Sequence, residues 1–454
     1  MALVHPTFDH LLLRFGRCGG EVCLGNGARY LKNDIQHSSN LRWSRREPQD
    51  LRLYAGASPY TAAAALPPPG CDADAYVNLA RHGTYASLSA GEENGVTVRR
   101  LPDGAGELRL VCALAPPYTA TDRSDFYNGG RYHWGALTSP VCETATRFDT
   151  LLPSWNVTTP DETWTQLEVR VRSAGAWTSW LNMGIWSSAA SIVERHSVNG
   201  QEAEGWEVLT DILQSNGQIF ASAYQYRFTL FTQKWGVSPR AWGISFAISD
   251  SRRHGRSSGM LPLRAVWGET LSVPARSQMI YPNGGEAWCS PASLSMVMAY
   301  WAGETGVESL DLSVPVVAGG VYDYSYGGWG NLSFNTAYAS AYDLDAAVMR
   351  MTSVEQVERW VKVRIPLVTS VAWDNEQARH RLSGAPLPSS DGHLLVVRGF
   401  TDSGDVIVND PAGSDGAHVP RVYERAEFSR AWLHNPGSSG GVTYLVWPAG
   451  ARDL

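Results

Sequence analysis

The sequence predicts a multidomain chain in which an all-β sandwich of jelly-roll type precedes an α+β domain. Three observations carry this. The chain has 454 residues, more than one hydrophobic core usually serves. From about 76 to 272 the apolar residues alternate with polar ones, and turn signals recur at short intervals. At about 273 the pattern switches to a helical stripe followed by β-like runs. Residues 1–75 precede both and are poorly patterned.

That first segment holds a basic stretch (Arg42, Arg45, Arg46, Arg52) and ends in four alanines and Leu66-Pro67-Pro68-Pro69-Gly70, which reads as a linker. It does not read as a secretion signal: Leu11-Leu12-Leu13 is a short apolar run and no A-x-A site follows. Either the protein stays in the cytoplasm or the exported form begins upstream of this Met1.

Residues 76–272 read as half-buried antiparallel strands. Leu167, Val169 and Val171 alternate with Gln166, Glu168, Arg170 and Arg172. Tyr224, Tyr226, Phe228 and Leu230 alternate with Gln225, Arg227 and Thr229. Period two with one wet face is the signature of such strands. Pro102-Asp103-Gly104, Asn128-Gly129-Gly130, Asn199-Gly200 and Asn216-Gly217 supply the turns. The region is rich in tryptophan, from Trp134 to Trp242. Exposed indoles stack on sugar rings, but large aromatics more often fill a core, and the core is the expectation here.

From 273 onward, Leu294, Val297, Met298 and Trp301 fall at i, i+3, i+4 and i+7, a helix stripe. Ser290 suits its N-cap, Pro291 its first position and Gly303 its stop. Ser353-Val354-Glu355-Gln356 is a capping box announcing a second helix. Strand-like runs follow over 366–373, 393–400, 406–409 and 442–447. Helices first and strands later give the α+β reading.

Composition narrows the function. Charged residues make up 18% and hydrophobic ones 44%, with a net charge of -7, which disfavours nucleic-acid and anionic-membrane binding. No apolar run approaches the ~20 residues of a membrane span. The tract 319–335 is glycine- and aromatic-rich without nucleotide-loop spacing, and reads as a surface loop or a cleft wall. Neither cysteines nor histidines have metal-ligand spacing, so no metal or cofactor is expected.

Six cysteines are too few for a disulfide framework, and five lie in the first third. Cys289 stands alone. A lone cysteine is more often a small buried hydrophobe, but Cys289 immediately precedes the predicted helix. Backbone N–H groups and the dipole at that end favour a thiolate. A thiolate nucleophile needs a base within reach. Of His380, His393, His418 and His434, His393 opens the apolar run 394–397 at a strand end, where a catalytic group is held firmly. The turn at 401–405 sends a second strand back toward it, ending in Asp410 and Pro411. With Ser403-Gly404 as a two-residue turn, His393 and Asp410 leave the same face of the sheet. A four-residue loop preserves that parity and a three-residue loop breaks it.

The stretches Gln278 to Ser293 (with Trp288-Cys289-Ser290-Pro291), Gly392-His393-Leu394-Leu395-Val396-Val397-Arg398-Gly399-Phe400 and Val408-Asn409-Asp410-Pro411 resemble bacterial members of cysteine peptidase family thirty-nine, relatives of the peptidases that process bacteriocin leaders. The resemblance spans roughly 273–447. It implies a papain-like fold, a Cys289–His393–Asp410 triad and Gln278 as oxyanion donor. Residues 152–186 are similar to the β domain that precedes such peptidases in some bacteria, and the resemblance favours a secreted or cell-envelope location. Two departures stand out: Ser290 where many relatives have glycine, and Gln278 eleven residues before Cys289, farther than usual.

The expected function is hydrolysis of peptide bonds through a thioester acyl-enzyme, with a peptide or protein substrate. Trp288, Tyr326 and Trp329 are candidates for the substrate cleft, and the sandwich for a carbohydrate or cell-wall contact. The alternatives are a papain-fold transpeptidase or amidase, and a glycan- or peptide-binding protein with a degenerate peptidase domain.

Overall fold

The computed structural model describes residues 77–111, 118–216, 218–254 and 259–448, and before them only three short paired strands, Gly16–Cys18, Glu21–Cys23 and Arg29–Leu31. The basic stretch at 42–52, the linker expected at 62–70, Cys71 and Cys112 lie outside the described residues. The chain is multidomain and β-rich, with few helices.

From Val77 to Ser249 the described residues form two eight-stranded antiparallel sheets. Their longest pair joins Thr163–Ser173 to Ala221–Thr232, with Leu167 opposite Phe228 and Val169 opposite Tyr226. Along Thr163–Ser173 the expected alternation holds, with Leu167, Val169 and Val171 buried. The inner faces meet through rings: Tyr224 and Tyr226 of one sheet lie 4.9 and 5.4 Å from Phe246 of the other. Trp155, Trp164, Trp186, Trp206 and Trp242 are buried, whereas Trp235 is 51% exposed.

Among its described residues the second half is one six-stranded antiparallel sheet with five helices. Numbered within this half, the helices are α1 (Cys289–Thr305), α2 (Val314–Val321), α3 (Leu332–Ser340), α4 (Val354–Lys362) and α5 (Arg425–Leu433). The strands are β1 (Leu344–Arg350), β2 (Leu367–Asp374), β3 (Ser389–Phe400), β4 (Val406–Asn409), β5 (Pro420–Tyr423) and β6 (Val442–Pro448). The sheet order is β1-β6-β2-β3-β4-β5.

Helix α1 differs from expectation at both ends. Trp288, not Ser290, is its N-cap, so Cys289 is the first helical residue. It runs past Gly303 to Thr305 and stops at Gly306, whose φ of 73° is the left-handed conformation glycine adopts freely. All of 289–301 is buried, so the apolar stripe is part of a helix enclosed on every side except at its last turn. Two of its serines are paired inside: Ser293 Oγ donates to Leu394 O and Ser295 Oγ to Leu312 O. The capping box at Ser353 and Gln356 opens α4.

Three further elements differ. The tract 319–335 is not one loop: α2 covers its beginning and α3 its end. Residues 389–392 are not a loop but the start of β3, pairing with Trp373 and Asp374 across a bulge, so His393 sits inside a strand opposite Val371. The β3–β4 connection is residues 401–405, with Phe400 opposite Val406. That is an odd-length loop, which alone would put His393 and Asp410 on opposite faces. A bulge at Arg398 adds one residue to β3, since Gly399 opposes Ile407 but Val397 opposes Val408. The bulge restores the parity.

The halves share structure. One hydrophobic cluster runs through both. Helix α3 and strand β1 lie against the strands Thr150–Thr158 and Arg240–Ser249 of the first half. Ser333 Oγ donates to Pro153 O, the Val157 N–H to Ser340 Oγ, Asn156 Nδ2 to Ala346 O, and Trp242 Nε1 to Asp345. Phe334 packs on Trp155 and Trp186.

Candidate active site

Cys289 is presented by the first turn of α1, His393 by the middle of β3, and Asp410 by the residue after β4. Packing of α1 on β3, seen in the Ser293–Leu394 hydrogen bond, brings the first two together. The β3–β4 register brings the third.

The His393 imidazole and the backbone N–H groups of Ser290 and Leu394 act on the buried Cys289 thiol. Burial by itself would raise the thiol's pKa. The imidazole, through its hydrogen bond and charge, and the two N–H groups outweigh it and hold the thiol below its ordinary value. His393 Nε2 lies 2.7 Å from Asp410 Oδ1, which leaves Nδ1 for the sulfur. Burial would lower the imidazole's pKa, but the Asp410 charge and hydrogen bond, then Cys289, push it up from 6.5 to about 10. Trp373 stands edge-on to the ring at 5.5 Å.

Asp410 is fully buried, and three donors satisfy it. Oδ1 also accepts the Ala412 N–H at 3.0 Å, and Oδ2 accepts the Tyr423 hydroxyl at 2.6 Å. Burial would raise its pKa. The His393 charge and these hydrogen bonds hold it below the usual carboxylate range. Tyr423 was not legible in the sequence, because it belongs to a short third strand whose register with β4 carries no local signal.

Gln278 lies close to the triad, its backbone N–H donating at 2.8 Å to the carbonyl of Pro411, the residue after Asp410. The side-chain nitrogen of Gln278 donates to Gly285 O at 2.8 Å and Glu286 O at 2.9 Å, so both of its hydrogens pin the turn before α1. Tyr326 packs over Gly328 and Gly330. Trp288 and Trp329 do meet, with ring centroids 6.0 Å apart, and Tyr281 flanks Trp288 at 5.6 Å.

The other candidate bases lie apart from this arrangement. His418 pairs with Asp415 at the surface at 2.8 Å. The second described free thiol, Cys142, lies 4.0 Å from His82, and burial pushes its pKa up. Among the described residues no group of three or more His, Cys, Asp or Glu could hold a metal ion, and no helix is long and apolar enough to cross a membrane.

Comparison with known proteins gives two family matches: residues 78–249 match the peptidase C39 N-terminal domain, and residues 270–439 match the peptidase C39-like family. Among solved structures, a Bacillus anthracis protein classed as a C39-like peptidase aligns at 13% identity and a TM-score of 0.27, over 39% of this chain and 94% of its own. The C-terminal CBM6 of the laminarinase LamC from Zobellia galactanivorans aligns at 12% identity and a TM-score of 0.18, over 37% of this chain and 98% of its own. No curated protein sequence matches the chain.

Proposed function

The chain belongs to the peptidase C39-like family, and on that premise we propose that it is a cysteine peptidase with Cys289 as nucleophile, His393 as acid and base, and Asp410 as the residue that orients and charges the base. The observation that carries this reading is the buried 2.7 Å hydrogen bond between His393 and Asp410, with a buried Cys289 whose thiol the His393 imidazole holds below its ordinary value. The thiol's acidity and the imidazole's basicity are both raised, which favours a thiolate–imidazolium pair.

From that pair the chemistry follows. The Cys289 thiolate attacks a peptide carbonyl and forms a C–S bond. The oxyanion is held by backbone N–H at the start of α1, where the helix dipole also favours negative charge. Collapse breaks the C–N bond as His393 gives its proton to the leaving amine. Water, deprotonated by His393, then attacks the thioester, releasing the acid and regenerating the pair. Asp410 holds the ring in one tautomer and stabilises its charged form.

The same reading extends to the architecture. Residues 273–454 form a papain-like α+β peptidase domain, with the nucleophile's helix packed on the sheet that carries the base. Residues 76–272 form a jelly-roll-like β-sandwich accessory domain, preceded by the segment 1–75. A secreted or cell-envelope location accompanies the family resemblance. Of the sandwich's tryptophans, Trp177 and Trp180 are covered by Arg170 and Arg227, so a carbohydrate contact falls to exposed Trp235.

The test is cleavage of a mixed peptide library by the full chain and by Cys289→Ala, followed by mass spectrometry with added amine. New termini made by the parent and absent with Cys289→Ala support the peptidase. Amine-capped products alone would replace hydrolysis by transpeptidation, and no Cys289-dependent product would overturn both.

A further inference from the structure

A row of aromatic rings starts at Trp288, one residue before Cys289. Trp329 meets Trp288 at 6.0 Å, Tyr322 meets Trp329 at 5.1 Å, and Tyr324 meets Tyr322 at 5.0 Å. Tyr322, Trp288 and Trp329 are half-buried and Tyr324 is 42% exposed, so the row ends in solvent. Three of these rings sit in residues 322–331, the connection between α2 and α3.

That connection is shaped largely by the first half of the chain. Arg195, only 1% exposed, sends Nη1 to Gly319 O at 3.0 Å and Tyr322 O at 3.4 Å, the carbonyls at the end of α2. Its Nε and Nη2 hold Ser187 O and Ser188 O in its own half, and its guanidinium covers Trp186. The Arg195 carbonyl accepts the Tyr324 N–H. Two residues on, the Ser197 N–H donates to buried Asp323 Oδ1, which also accepts the N–H groups of Ser325 and Tyr326. At the far end Asp211 Oδ2 caps α3 by accepting the Leu332 N–H at 2.6 Å. Both ends and the middle of the connection are thus tied to residues 187–211. A buried arginine with no carboxylate partner, spent instead on four carbonyls, is costly to bury. Its planar fork fixes those carbonyls relative to one another in a way a point charge does not.

We propose that Arg195 is a positioning residue of the peptidase site: through it the first half holds the 322–331 connection so that Trp288, Trp329, Tyr322 and Tyr324 form one wall, which selects apolar side chains next to the bond attacked by Cys289. The proposal rests on the site assigned above. It gives the N-terminal half a part in substrate recognition rather than an accessory place. The wall carries no charged side chain, so a carboxylate laid on it loses water without gaining a partner, while an aromatic side chain gains stacking and burial.

The test separates the wall from the thiol and from hydrolysis. Full-length protein is labelled with iodoacetamide, too small to use the wall, and with phenylalanyl and aspartyl chloromethyl ketones of matched length. Labelling rates at Cys289 are read by mass spectrometry. The parent is expected to react at least about tenfold faster with the phenylalanyl reagent. Arg195→Met, and Arg195→Lys as the variant that keeps the buried charge, are expected to bring that ratio toward one while iodoacetamide labelling stays within about twofold. Trp329→Ala is expected to do the same. A parent ratio near one overturns the proposal. So does an unchanged ratio in a folded Arg195 variant, or a parallel loss of iodoacetamide labelling, which would make Arg195 a general structural residue. Selective labelling without any peptide cleavage would sink the peptidase reading and leave this inference standing.

Discussion

Replacing Asp410 by asparagine removes one charge and little else. The substituted amide's oxygen can keep the His393 Nε2–H and Ala412 N–H hydrogen bonds now made at 2.7 and 3.0 Å. Its nitrogen then faces the Tyr423 hydroxyl, which rotates from donor to acceptor. What is lost is the carboxylate charge beside a buried imidazolium. A charge-assisted hydrogen bond is worth about 1.5–3 kcal/mol, against about 1 for a neutral one. The difference of about 0.5–2 kcal/mol should therefore lower kcat/KM by roughly two- to thirtyfold. The sign follows from the causes of each pKa. Asp410 raises that of His393, so its loss brings the alkaline limb of the pH–rate profile down from about 10. The His393 charge lowers that of Cys289, so a less stable imidazolium moves the acidic limb up. The profile narrows from both sides while the melting temperature changes little. The assay is the pH dependence of kcat/KM on a cleaved peptide, run beside Cys289→Ala, which should retain no turnover. An Asp410→Asn protein with unchanged turnover and unchanged limbs would refute the reasoning and reduce Asp410 to a turn residue.

Tyr423→Phe leaves Asp410 Oδ2 without its 2.6 Å donor. The carboxylate becomes a stronger base and a stronger acceptor for the imidazolium, so the alkaline limb of the same pH profile is expected to move up, with a several-fold fall in kcat/KM from the less firmly held carboxylate. Gln278→Ala breaks two backbone anchors of the turn before Cys289. It should lower the melting temperature, and kcat decides its role: a loss of about a hundred- to a thousandfold supports an oxyanion donor, and a loss below about tenfold leaves Gln278 as an anchor of the turn. A fragment beginning at 270 strips α3 and β1 of their partners and exposes Phe334, worth roughly 1.5–3 kcal/mol by itself. It should bind a hydrophobic dye and melt without cooperativity, and a sharply melting fragment would contradict the shared core.

Much of the site was readable because it is local. Cys289 was marked by the helix after it, and His393 and Asp410 by strand runs on either side of one turn. The parity argument reached the observed face by a route that did not hold: the connection has odd length, and the bulge at Arg398 compensates for it. A bulge leaves no mark in an alternation when its flanks, Val397 and Gly399, are apolar or small. Helix α3 was hidden for a different reason. Its residues Ser333, Asn335, Thr336 and Ser340 look like loop composition, yet all are buried. Their donors are paired inside, Ser333 and Ser340 with carbonyls of the first half and Asn335 Nδ2 with Trp329 O and Asn331 O. Periodicity cannot report a helix whose polar face is buried against polar partners more than a hundred residues away. Strand β1 was lost likewise, because Asp345 and Arg350 break its apolar run and are both buried with distant partners. That Gln278 also holds the carbonyls of Gly285 and Glu286 was not readable, because nothing local in the sequence marks that turn.

The central claim is that the Cys289 thiol is ionised by His393 at neutral pH, and Cys142 provides an internal control. Both are free thiols, one held below its ordinary pKa by an imidazolium and the other pushed above it by burial. The measurement is the alkylation rate of each by iodoacetamide across the pH range, with the sites separated by peptide mass spectrometry. The account predicts rapid modification of Cys289 already at about pH 6, with Cys142 reacting only in alkali, and loss of the Cys289 advantage in His393→Ala. A Cys289 that titrates at or above the ordinary thiol value, or reacts no faster than Cys142 at neutral pH, would contradict it.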